Sequence, residues 1–316
     1  WLLRERARAL ALAAALRVVG VGIAVQIALA LALLLLPPAR AALAGVSALV
    51  LALQEATGEG VRLVFGYLAG GPAPFETVAP SNSFLLAFQA LPLILVVSAL
   101  TALLHHWGVL QRAVSAFAWA LRRSMGVEGP VAMGAAANLF VGMVEAPLFL
   151  RPWLGRIDRG GLFAVMAVGL ATIAGTVLAL YAGLLEARLP GAAGHLVVAS
   201  VISAPAALLL ARLMVGPGDG RSAEPVSAIP SDAPAAAGPV DAIMRGTEAG
   251  IRLLAGVVAA LIVFVALVAL VDMALAALAR PFGLALSLER IGGWLFAPLV
   301  WLAGGAGAEA TEAGGL

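Results

Sequence analysis

The chain has 316 residues, of which 63% are hydrophobic and 11% charged, and its formal net charge is +2. Soluble domains carry about a quarter charged residues, so this composition excludes a single aqueous core and makes lipid the solvent for much of the surface. The lack of cysteine excludes disulfides and thiolate metal sites, and so small a net charge gives no electrostatic footprint for nucleic acid.

A spanning helix needs about 20 mostly apolar residues. Residues 9–36 meet this and stop at Pro37-Pro38, which cannot continue a helix. Residues 41–56 are less hydrophobic and end at Gly58, which predicts a helix lying on the membrane interface. The Gly/Pro-rich stretch 60–81 predicts a loop. Residues 83–104 form a second span with a kink at Pro92, and His105, His106 and Trp107 mark its watery end. The stretch 111–123 alternates apolar residues with arginines and predicts an interfacial helix.

Residues 130–153 are apolar but broken by Pro147 and Pro152. Spans three and four are predicted over 162–185 and 192–215, a polar linker over 216–239, a fifth span over 251–279 and a short interfacial helix over 288–301. Asp272, near the end of the fifth span, reads as solvated or bonded to Arg280. The start at Trp1 and the Gly/Ala/Glu tail over 304–316 read as a fragment of a longer protein.

Arginine bias sets orientation. If 130–153 enters and leaves on one face, that face collects Arg4, Arg6, Arg8, Arg112, Arg122, Arg123, Arg151, Arg156, Arg159, Arg212, Arg221 and Arg245. The opposite face keeps only Arg40, Arg62, Arg188, Arg280 and Arg290. A crossing segment would nearly even the two sets, so the bias favours re-entry, with the richer face cytoplasmic.

Chemistry concentrates in 129–156, GPVAMGAAANLFVGMVEAPLFLRPWLGR. Glu145 lies deep in an apolar run, where a charge costs roughly 2.5–3.5 kcal/mol on insertion scales and marks function by default. Gly142 permits a sharp bend, and Pro147 suits the first turn of a new helix. Two half-helices meeting at a tip leave N–H and C=O groups that can hold a ligand and an ion. The next span carries Thr172, Gly175 and Thr176 at its centre. There a helix can unwind and offer carbonyls to a hard cation, although small residues serve ordinary helix packing equally well. One deep glutamate, no cysteine and histidines only near span ends leave no constellation for an intramembrane enzyme.

Two stretches together resemble the signature region of the concentrative nucleoside transporters. The first is Ala136-Ala137-Asn138-Leu139-Phe140-Val141-Gly142 with Glu145-Ala146-Pro147-Leu148. The second is Leu162-Phe163-Ala164-Val165-Met166, Gly169 and Ala171-Thr172-Ile173-Ala174-Gly175-Thr176-Val177-Leu178. Weaker likeness extends to Val64-Phe65-Gly66, Phe88-Gln89-Ala90-Leu91-Pro92 and Phe296-Ala297-Pro298-Leu299.

The resemblance implies an all-α polytopic membrane protein with a re-entrant helical hairpin, a broken transmembrane helix and interfacial helices. It implies a homotrimer, multi-pass in the bacterial inner membrane, that moves nucleosides by sodium- or proton-coupled symport. In that frame 1–124 is an N-terminal scaffold and 125–190 the first half of the transport core. Residues 191–303 add two spans and an interfacial helix, and the tail at 304–316 precedes a second hairpin. The sodium site would take the side chains of Asn138 and Thr172 and the backbone oxygens of Val141 and Ile173, with no other cofactor. Glu145 would accept hydrogen bonds from the nucleobase. Its neighbours depart from the pattern: Met143 and Val144 stand where many members carry Gln-Thr or Gln-Ser. Neither offers a comparable hydrogen bond, so the resemblance also admits a proton-coupled or non-nucleoside symporter. The family's ribose-binding motif lies beyond the end of the chain, and Glu289 and Glu309 do not match it.

Overall fold

A computed structural model of the chain describes residues 12–76, 83–142, 150, 154, 157–186, 188–216, 236–280, 286–302 and 304. Among these, every regular element is helical. Six stretches, 16–35, 37–69, 86–106, 159–185, 192–215 and 239–278, are long and apolar enough to cross a membrane. The chain divides into one unit over residues 1–254 and a second over 255–316.

In the first unit, α1 (Leu12–Leu35) ends at Leu36, whose extended backbone leads into α2 (Pro37–Phe65) with prolines at its first helical positions. The missing proline N–H groups cost nothing there. The expected interfacial helix is thus longer than 41–56, and the expected loop at 60–81 is helical as far as Phe65, followed by a 3₁₀ turn at Gly66–Ala69. Gly58 and Gly60 each weaken a helix by about 1 kcal/mol, yet α2 continues to Phe65, whose ring meets that of Phe88 edge-on at 5.0 Å.

Further contacts tie α2 to its neighbours. Near its start, Ser47 Oγ accepts the Gly194 N–H at 3.1 Å. Val50 packs with Leu93, Ala179, Ala182 and Ala193. Gln54 lies against Gly183, and the Leu68 carbonyl accepts from Gln89 Nε2 at 3.2 Å. Gly183, Gly194 and Gln89 all lie near ends of other helices. The sequence expects this helix at the interface, and its length and composition would also suffice for a span.

Residues 83–104 do not form one helix. A short α3 (Leu86–Gln89) precedes a turn at Ala90–Pro92, and α4 (Leu93–His106) follows. Pro92 cannot donate the N–H that continuity needs. Next comes α5 (Val109–Met125), whose Leu110, Val114, Ala118, Leu121 and Met125 are buried at helical spacing while Arg112, Arg122 and Arg123 stay exposed. Its buried stripe covers α6 (Gly129–Phe140), in which every residue from Gly129 to Leu139 is buried. Small residues at 134–137 let neighbours approach closely.

Beyond the short α6, α7 (Arg159–Ala171) and α8 (Gly175–Leu185) together make the third span. Asp158 caps α7 by accepting from the Gly161 N–H at 2.7 Å. Helix α9 (Ala192–Val215) has the bounds read from sequence and packs against α1 and α7. At its end Arg212 donates from both Nη atoms to the carbonyls of Met125 and Gly126, each at 2.6 Å. This fork ties α9 to the junction of α5 and α6. Arg212→Ala is expected to lower the unfolding temperature of the protein in detergent by several degrees, as loss of about 2 kcal/mol would. Arg212→Lys should restore part of that, because an ammonium cannot fork. An unchanged melting curve for Arg212→Ala would remove the tie.

Helix α10 (Pro239–Ala279) starts twelve residues before the expected fifth span. Its polar opening is helical because Asp241 pairs with Arg245, and Glu248 with Arg252, at i,i+4 spacing. The linker expected over 216–239 falls mainly on 217–235, outside the described residues. In the second unit, α11 (Leu288–Leu302) follows, and Arg290 lies 5.9 Å from the Trp294 ring centre. The Asp272 carboxylate sits in an exposed setting and accepts the Leu288 N–H at 2.7 Å, at the start of α11.

Candidate functional site

The site grows from two interrupted helices. Helix α6 has twelve residues, so it rises only about 18 Å, roughly half the hydrocarbon core. It stops at Val141, and Gly142 follows with φ +102°. Leu150 then lies beside Gly134, back along α6, and Gly161 meets Val131 near the start of α6. The chain therefore leaves α6 and returns to the side from which it entered, as expected of a re-entrant segment.

The third span is broken where Thr172 and its neighbours predict. Thr172 (φ −112°, ψ 158°) and Ala174 (φ −61°, ψ 145°) are extended, so three residues separate α7 from α8. The break faces the α6 tip. A Cβ on Gly142 would stand 2.7 Å from the Ala174 Cβ, and one on Gly175 would stand 2.9 Å from the Phe140 carbonyl oxygen. Only glycine permits this approach at both positions.

Asn138, in the last turn of α6, is 3% exposed. Its Nδ2 donates to the Val165 carbonyl of α7 at 2.9 Å. A carbonyl can only accept, so this bond fixes which end of the amide is oxygen. Oδ1 then points elsewhere, and it is buried with no hydrogen-bond partner. Thr172 Oγ1 donates to the Val168 carbonyl at 2.9 Å, which leaves its lone pairs free to accept. Ile173 donates its N–H to Ser200 Oγ of α9 at 2.8 Å.

The four residues expected at the cation site, Asn138, Val141, Thr172 and Ile173, thus fall on the two faces that meet, α6 tip and helix break. Glu145, Met143 and Val144, expected at the substrate site, lie outside the described residues. Sequence reasoning missed Val165, which orients the amide, and Ser200, which holds the break. The one signal for Ser200 was a hydroxyl in the middle of an apolar span.

The electrostatics suit a positive charge. The C-terminal ends of α6 and α7 converge here, and each carries carbonyls without helical partners and a partial charge of about −0.5. The available side-chain atoms are neutral oxygens, the donors a hard monovalent or divalent cation takes. None of them titrates, so they have no proton to exchange. The N-terminus of α8 points the opposite dipole end at the same place, which favours an acceptor group on a solute.

Together these features define a multi-pass helical membrane protein built around a re-entrant half-helix and a broken span. Three family models match the chain. "Na+ dependent nucleoside transporter N-terminus" covers residues 12–68, "Nucleoside recognition" 87–188, and "Na+ dependent nucleoside transporter C-terminus" 195–316. A solved structure of CNTnw in an inward-facing, substrate-bound state shares 33% identity and a TM-score of 0.83, over 99% of this chain and 71% of that one. An uncharacterized transporter of Haemophilus influenzae is 34% identical over 88% of this chain and 64% of its own length. The nucleoside permease NupC of Helicobacter pylori is 32% identical over 75% of this chain and 54% of its own. The chain belongs to the concentrative nucleoside transporter family. It spans about two thirds of the length of the first of these curated relatives.

Proposed function

We propose that the protein is a secondary transporter that couples sodium entry to nucleoside uptake across the bacterial inner membrane, as a homotrimer with 125–190 as the first half of its transport core. One observation carries the reading. The buried, unpartnered Asn138 oxygen lies in an α6 tip pressed against an unwound span. Sodium would bind among Asn138 Oδ1, Thr172 Oγ1 and the backbone oxygens of Val141 and Ile173. A bound cation neutralises two converging helix C-termini and draws tip and break together. It thereby prepares the hairpin for a solute held by Glu145, beside Met143 and Val144. Neutral, non-titrating donors support sodium over the proton. Members of the family named sodium/nucleoside cotransporter support the same choice.

The direct test is uptake of labelled uridine by cells expressing the full reading frame, with and without an inward sodium gradient. Uptake should require sodium, and Glu145→Gln should reduce it at least tenfold, because the amide replaces an acceptor with a donor. Uptake that ignores sodium and follows a pH gradient would select proton coupling. Met143 and Val144 give a second reading, a symporter for a less polar solute. Failure of uridine, cytidine and adenosine to compete with one another or to be taken up by inserted protein would favour it.

A further inference from the structure

Ser200 lies mid-way along α9 and is 2% exposed. Its hydroxyl reaches across to α7–α8 and accepts the Ile173 N–H at 2.8 Å, 27 positions away in the chain. Backbone N–H groups in a helix break have lost their i−4 partners. Thr172 keeps one, bonding back to the Val168 carbonyl. Ile173, next in the chain, has Ser200 instead.

We infer that Ser200 is a positioning residue for the coupling cation, acting through the Ile173 peptide; the inference rests on the sodium reading above. The peptide unit is planar, and its N–H and C=O point in opposite directions. Pinning the Ile173 N–H on α9 therefore turns the Thr172 carbonyl away from α9. Ile173 itself lies outside both helices, between the extended Thr172 and Ala174. Ser200 touches neither cation nor solute. It keeps the break open in the one arrangement in which oxygens of 172 and 173 remain available. Without it, the Ile173 N–H would seek another acceptor, and the carbonyls would rotate with it.

The test measures uridine uptake against sodium concentration, with the full-length protein in proteoliposomes. Ser200→Ala should raise the half-saturating sodium concentration about tenfold, as loss of a buried hydrogen bond would. At saturating sodium, half-saturation for uridine should stay at the wild-type value. Ser200→Thr keeps the acceptor and should restore the sodium response. Should the alanine variant fail to insert, Ser200→Cys has a similar volume and a weak acceptor, and should shift the sodium response in the same direction. A variant that melts earlier yet keeps wild-type sodium half-saturation would overturn the inference, since Ser200 would then be structural only. A wild-type protein whose uptake ignores sodium would overturn the sodium reading itself, and this inference with it.

Discussion

Gly142→Ala is expected to abolish sodium-dependent uptake while leaving the amount of protein in the membrane near normal. Two separate penalties meet at this residue. Its φ of +102° lies where side chains other than glycine are rarely found, which costs about 1–3 kcal/mol. Its Cβ would also stand 2.7 Å from the Ala174 Cβ. A methyl cannot rotate away, and Ala174 sits on the backbone of the break, so tip and break must separate. Cores charge roughly 1–3 kcal/mol for such an intrusion. The bundle around α5, α7 and α9 does not depend on this contact, so the loss should fall on function. Gly126→Ala is the control. Gly126 also has positive φ, +60°, but nothing lies within 4 Å of its Cβ position. Its substitution pays for backbone strain alone and should spare most uptake. Comparable uptake by Gly142→Ala and wild type, at equal abundance, would mean that the tip and the break need not touch.

Much of this arrangement was legible in the sequence, and the parts that were not share a cause. The bounds of α9 followed from an unbroken apolar run between Gly191 and Gly216. The break at 172–174 was announced by Thr172, Gly175 and Thr176, but those residues fit close helix packing as well. Only the extended backbone at Thr172 and Ala174 decides between the two. Gly58 and Gly60 suggested a helix end, and polar residues before 251 suggested a span not yet begun. In both places local propensity lost, in α2 with the Phe65–Phe88 ring contact beyond the glycines and in α10 to i,i+4 ion pairs. The role of Ser200 was hidden for a stronger reason. Its partner is 27 residues away, and no periodicity within α9 reports a bond made by a neighbouring break. For the same reason Asn138 could be singled out from sequence, but not the Val165 carbonyl that orients it.

That carbonyl makes the second large effect specific. Asn138→Ala should raise half-saturating sodium between tenfold and a hundredfold. It deletes a buried oxygen that has no other partner, and an unsatisfied buried acceptor is worth about 1–3 kcal/mol to the ion that satisfies it. Uridine half-saturation at saturating sodium should change far less. Asn138→Asp separates the two jobs of the amide. Its second oxygen would face the Val165 carbonyl, where Nδ2 now donates at 2.9 Å. Two acceptors repel, and the variant recovers a donor only by taking a proton. Its uptake should therefore rise as pH falls, whereas the wild-type amide, which does not titrate, gives no such dependence at this site. The opposite slope would mean that the carboxylate serves sodium better than the amide and that the Val165 bond is dispensable. An alanine variant with wild-type sodium half-saturation would remove Asn138 from the cation site altogether.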